Sequence, residues 1–183
     1  MRTCLLLFLL PLAATSLTAC GRDNDHHGSI ANYISIHTDH IAVHAPGRAD
    51  ADINAAGDLS IGEKGVAVTT AERDLLKHYY ATALTLRDHG IATGAAGAAV
   101  AGQAIRSVAS GLASGDTDKI DSEVNASAAR VEAKAALICD DLAEIQSTQQ
   151  TLASQLEAFR PYALIKADEA DKCRHGLHDH QRD

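Results

Sequence analysis

Aromatic side chains are scarce in this chain: no tryptophan, two phenylalanines and four tyrosines in 183 residues. A core must therefore come from Ala, Leu, Ile and Val, which suits closely packed helices better than a deep aromatic pocket. Positive charge is short as well. Sixteen Lys and Arg face 24 Asp and Glu, a net charge of −8, which argues against nucleic acid and against adhesion to anionic lipid. Long apolar runs are missing: the stretch 91–113 holds only about twelve uninterrupted apolar residues, below the ~20 that span a bilayer. Signature motifs of catalysis are also missing. There is no Gly-x-Ser-x-Gly, no His-Glu-x-x-His and no Gly-x-Gly-x-x-Gly, so nothing marks the chain as an enzyme.

What is present begins at the amino terminus. Arg2 supplies a positive n-region, Leu5 to Leu12 an apolar h-region, and small residues lead to Ala19, the layout of a secretory signal. Leu17-Thr18-Ala19-Cys20 resembles the lipobox of bacterial lipoproteins. That resemblance implies cleavage after Ala19 and lipidation of Cys20, whose acyl chains anchor the protein stably in a membrane at ~0.8 kcal/mol per buried methylene. The alternative is an ordinary signal peptide with Cys20 left as a thiol. Gly21, where Asp would retain the protein at the inner membrane, favours the outer one. The expected location is the periplasm, membrane-anchored.

Cysteine arithmetic follows. Cys4 leaves with the signal and Cys20 takes lipid, so Cys139 and Cys173 remain, and in an oxidising space a disulfide between them is expected. For a helix running from Cys139 to Phe159, the bridge requires a largely extended return along Pro161–Lys172.

The expected organisation is a signal peptide (1–19), a lipidated Cys20 with a polar tether (20–32), one α+β domain (33–173) and a His-rich tail (174–183). Without residues 1–19, which hold Arg2 and no acid, the charge is −9. Period-two pairs Ile34/Ile36, Ile41/Val43, Leu59/Ile61 and Val66/Val68, separated by turn residues, predict a small antiparallel meander over about 33–68. Its single apolar face needs a cover. Thr69 and Glu72 have capping-box spacing, and Leu75, Leu76, Tyr79, Tyr80, Ala83 and Leu84 make the first helical stripe, with Gly90 as its stop. Gly90, Gly94, Ala98 and Gly102 form a small-residue ridge on a second helix. A third carries a heptad seam: Val124, Ala128, Val131, Ala135, Ile138, Leu142, Ile145, Gln149, Leu152, Leu156 and Phe159. The expected fold class is α+β, a β-meander followed by three helices. The last two form a small-residue/heptad hairpin in which Ala128 and Ala135 meet the ridge, and Pro161 ends the last helix. The rival is self-association through the heptad helix as a homodimeric coiled coil.

An Ile-x-Val strand at Ile41, an Asp-Ile-x-Ala-x-Gly-Asp-Leu-x-Ile segment from Asp52 to Ile61 and a Val-x-Val-Thr-x-Ala-Glu-Arg-x-Leu-Leu-x-x-Tyr segment from Val66 to Tyr79 occur in order. With the helices behind them, they resemble the YggN-like periplasmic proteins, a family of unknown function, over roughly residues 33–165. The resemblance implies a periplasmic location and brings no catalytic residues.

Ten histidines invite a metal reading. His175, His178 and His180 offer imidazoles for zinc, copper or nickel, with His26 and His27 in the tether, but a flexible tail supplies no fixed geometry. Asp50-Ala-Asp52-Ile-Asn54 imitates a calcium loop and fails it, with Ala55 and Ile61 where Gly and Glu are needed. No cofactor is expected beyond the lipid on Cys20. The expected function is a non-enzymatic envelope accessory or interaction protein, meeting an envelope partner through an uncovered heptad or sheet face. The alternative is a metal-binding or metal-buffering lipoprotein using the His-rich segments.

Overall fold

The computed structural model describes residues 32–114 and 117–179. Five short strands come first: β1 (Ile34–Ile36), β2 (His40–Val43), β3 (Ala51–Asn54), β4 (Leu59–Ile61) and β5 (Lys64–Val66). Each pairs antiparallel with its neighbour in sequence, giving the order β1-β2-β3-β4-β5. Helices α1 (Thr70–Ser114) and α2 (Thr117–Gln155) follow, then a 3-10 helix (Glu157–Tyr162) and α3 (Glu169–Asp179). This is the expected α+β meander with helices behind it.

Alternation decides which side of the sheet is dry. Ile41, Ile53 and Leu59 lie side by side across three strands and are essentially excluded from water, as are Val43 and Ala51. Ser35, Ala42, Asp52 and Ser60, one residue out of phase, make the other face. β3 was not among the expected strands. Its Ala51 and Ile53 alternate with Asp50, Asp52 and Asn54, and the acidic half of the pattern disguises it as a metal loop. The turn into β4 is built by Asn54, whose Oδ1 accepts from the backbone N–H groups of Ala56 (3.0 Å) and Asp58 (2.9 Å). Gly57 sits there at φ +75°, and a Cβ would lie 2.4 Å from the Arg73 carbonyl of α1. Only glycine lets this turn lie against the helix. Arg73 closes the contact by pairing with Asp58.

The start of α1 is the capping box read from the sequence. Glu72 Oε2 accepts from the Thr69 N–H at 2.7 Å, and the Glu72 N–H donates to Thr69 Oγ1 at 3.3 Å. Leu76, Tyr79 and Ala83 then cover the sheet, joined from the far end of the chain by Ile145, Leu152, Phe159 and Tyr162. The Tyr79 and Phe159 rings meet edge to face, 5.7 Å between centroids, a favoured aromatic geometry.

Three expectations about the helices need correction. Gly90 does not stop a helix, and α1 runs through it for 45 residues. A stop would use a left-handed backbone, but the glycines with positive φ among the described residues are Gly47, Gly57 and Gly62. Packing along α2 offsets the ~1 kcal/mol that an interior glycine costs. The hairpin is therefore made by α1 and α2, the first two helices of the structure. The heptad side of α2 does face α1, yet the small-residue ridge does not face α2. Thr93, Ala96, Val100, Gln103 and Ser107 are turned inward, whereas Gly90, Gly94 and Ala98 are exposed. Glycine has nothing to bury, so the seam takes the larger and hydrogen-bonding side chains. Finally, α2 ends at Gln155, six residues before Pro161, which lies inside the 3-10 helix.

Candidate functional site

The disulfide forms as expected, Cys139 to Cys173, with 5.5 Å between Cα atoms. Its return path is not extended. Because α2 stops at Gln155, the chain turns back through the 3-10 helix and a short loop, and Cys173 reaches α2 from the first turns of α3. Gln149, the polar break in the heptad seam, holds that loop. Its amide donates to the Ile165 carbonyl and its Oε1 accepts from the Ile165 N–H at 3.3 Å, with the glutamine 1% exposed. Two buried backbone groups that no helix or strand could satisfy are thereby paired. Asp140 adds an exposed bond from Arg174 Nη2, 3.0 Å.

Ala19, Cys20 and His180 lie outside the described residues. His175 is exposed on α3, and His178 follows it with its side chain outside the description. Among the described residues no three His, Cys, Asp or Glu side chains gather as a metal site. No helix among them is long and apolar enough to cross a membrane.

Two histidines of α1 are paired across the hairpin. His89 Nδ1 donates to Asp141 Oδ2 at 2.5 Å, and His78 Nε2 to Glu144 Oε1 at 2.7 Å. Asp141, mostly buried, and Glu144, largely exposed, thus tie α2 to α1. Farther out, Ser127 Oγ donates to Gln103 Oε1 at 3.3 Å.

The outer sheet face gathers the densest chemistry. Asp50 precedes β3, and its carboxylate lies 2.8 Å from His44 Nδ1, while His44 Nε2 lies 2.7 Å from Ser35 Oγ on β1. A carboxylate only accepts, so Nδ1 carries the ring proton, and in the neutral ring Nε2 accepts from the serine hydroxyl. That is the order nucleophile, base, orienting acid. At the other end of β2, His40 stacks on His37 at 4.5 Å and donates to Asp39 at 2.8 Å. The His40 bond holds the Asp39 carboxyl below the usual carboxylate range. Two shallow clefts adjoin His40 and Asp39, one lined by His37, Thr38 and Arg87, the other by Asp52, Asn54, Asp58 and Ser60, and Ser35, His44 and Asp50 line neither. Sequence reasoning missed the Ser35–His44–Asp50 relay. Spacings of nine and six residues carry no signal until β1, β2 and β3 are placed in register. No protein family, no curated protein and no solved structure matches the chain.

Proposed function

We propose that this chain is an envelope lipoprotein, anchored by acylated Cys20, whose folded part works by contact with protein. The observation that carries it is the Cys139–Cys173 bond, because a disulfide persists where thiols are oxidised, outside the cytosol. The signal layout, the Leu17–Cys20 lipobox and the resemblance to YggN-like periplasmic proteins point the same way, and Gly21 favours the outer membrane. The contact role draws on the helical hairpin, whose outer surface none of the described residues covers. Membrane fractionation tests the anchor. The native chain should sediment with membranes and Cys20→Ala should not; a native chain found free of membranes would reject the reading. In-cell crosslinking then tests the contact role, and a chain that crosslinks to no protein would reject it.

One observation favours a second reading from another class, esterolysis at Ser35. Ser35 Oγ would bond to an ester carbonyl carbon while its proton passes to His44 Nε2. That proton would go on to the departing alcohol as the ester C–O bond breaks, and water would then release the acid and restore Ser35. Hydrolysis of p-nitrophenyl acetate that disappears in both Ser35→Ala and His44→Ala, with fluorophosphonate labelling at Ser35, would support it. Equal rates in native and variant chains would dismiss it.

A further inference from the structure

Among the described residues, none covers the outer face of α1. Ile91 is 64% exposed and Ile105 73% exposed, and Gly94, Ala95 and Ala98 lie open between them. No charged residue interrupts positions 91–105. These residues point directly away from α2, whose own seam is filled by Thr93, Ala96, Val100 and Gln103. A solvent-facing helix stripe is normally charged, so this one asks for a cover.

The spacing says what kind of cover. Ile91 and Ile105 stand seven residues either side of Ala98, about 10.5 Å each way along the helix. A second α1 laid antiparallel with Ala98 at the two-fold axis brings each Ile91 against Ile105 of the other copy. Small residues between them allow the backbones to approach closely. Charge matches in the same register. Asp88, which also pairs with Arg87 of its own helix, and Arg106 lie on one flank of the stripe, ten and eight residues from Ala98. The two-fold axis keeps them on the same side of the interface, with Asp88 of one copy about 3 Å along the axis from Arg106 of the other. A patch that is its own complement in shape and in charge is what a two-fold interface requires. We propose that two copies of this chain pair through the outer faces of α1 about Ala98. The proposal rests on the contact reading above and names the partner as a second copy.

The test uses the full chain in its own membrane, with Ala98→Cys as the reporter at the axis and Lys134→Cys, exposed on α2, as the control. On a non-reducing gel, Ala98→Cys should give a disulfide-linked dimer and Lys134→Cys should not. Adding Asp88→Arg should lower the dimer band at least ~tenfold, since like charges then face each other. Further adding Arg106→Asp should restore it, a recovery that a merely damaged helix would not show. Ile91→Asp with Ile105→Asp should abolish the dimer while leaving the circular dichroism unchanged. A monomeric Ala98→Cys chain overturns the proposal, as does a dimer indifferent to the Asp88 exchange. If Ala98→Cys is captured by a different protein, self-pairing fails while the contact reading stands. If in-cell crosslinking by other chemistry also finds no protein attached, both fail together.

Discussion

The two ends of the hairpin are held together by different means. At the sheet end, Leu76, Tyr79, Ile145, Leu152, Phe159 and Tyr162 are buried almost completely. Between residues 90 and 138, the buried residues among those described are Ser107 and Ser127. The sheet end is a hydrophobic core with polar clasps at its edge. The outer half is two long helices joined by half-buried side chains, with the Gln103–Ser127 hydrogen bond between them. Apolar burial contributes about 1.5–3 kcal/mol for each large side chain, so nearly all the stability resides at the sheet end. Helix length is therefore a poor guide to where a structure is strong.

That contrast can be broken deliberately. The largest effect belongs to Phe159→Ala, which removes a fully buried ring and should cost about 3–5 kcal/mol in urea denaturation. Val100→Ala, in the half-buried seam of the outer hairpin, should cost less than ~1.5 kcal/mol. Comparable costs would mean the outer half has a core of its own. Removing the bridge with Cys139→Ala and Cys173→Ala opens a loop spanning 34 residues, worth about 4 kcal/mol in the chain-entropy account. The loss should appear in amides of the sheet end by hydrogen exchange, leaving the already fast outer hairpin unchanged. Gln149→Ala strands two buried backbone groups at Ile165 and should cost roughly 2–4 kcal/mol, read as a lower denaturation midpoint with unchanged slope.

Two smaller effects sharpen the picture. Tyr79 is fully buried, and its hydroxyl has no hydrogen-bond partner among the described residues. Tyr79→Phe should therefore stabilise by about 1 kcal/mol. Burial also raises the phenol's pKa. The neutral form is held in the fold, so its contribution is full below the free tyrosine value near ~10 and lost as pH rises beyond it. Tyr79→Phe should flatten that alkaline decline in melting temperature. At the acid end, the bond from Arg73, then that from Asn54, lowers the Asp58 carboxyl, and the Thr69 backbone bond lowers Glu72. Both contributions are complete above the free carboxylate value near ~4 and vanish as pH falls through the lower folded values. Asp58→Asn should reduce the slope of stability against pH below about 4 and leave it unchanged at 7.

Elements announced by local chemistry were legible in the sequence. Thr69 and Glu72 marked the start of α1, alternation marked β1, β2 and β4 and met β5 only at Val66, and the heptad register of α2 predicted its inward face. Counting pairs Cys139 with Cys173, but the return between them is folded and not extended, because α2 stops short of Pro161. What escaped depended on tertiary competition. Gly90 reads as a stop until α2 is there to pack alongside it. The Gly94–Ala98 ridge reads as the surface that meets α2 until Val100 and Gln103 are seen to hold that seam. The His78–Glu144 and His89–Asp141 pairs join residues 66 and 52 positions apart, and no local pattern records such a distance.

The meander has neighbours in sequence as neighbours in space, so its strands can pair as soon as they emerge from synthesis or export. Its dry face cannot be finished so early. Part of the cover for Ile41, Ile53 and Leu59 comes from α1, but Leu152, Phe159 and Tyr162 come from the end of the chain, and the Tyr162 hydroxyl bonds to the Ala49 carbonyl across 113 residues. A chain delivered amino terminus first must expose that apolar sheet until its last fifth arrives. Completing the fold is thus a late, long-range event, and the interval before it is when the chain is open to aggregation and to chaperones.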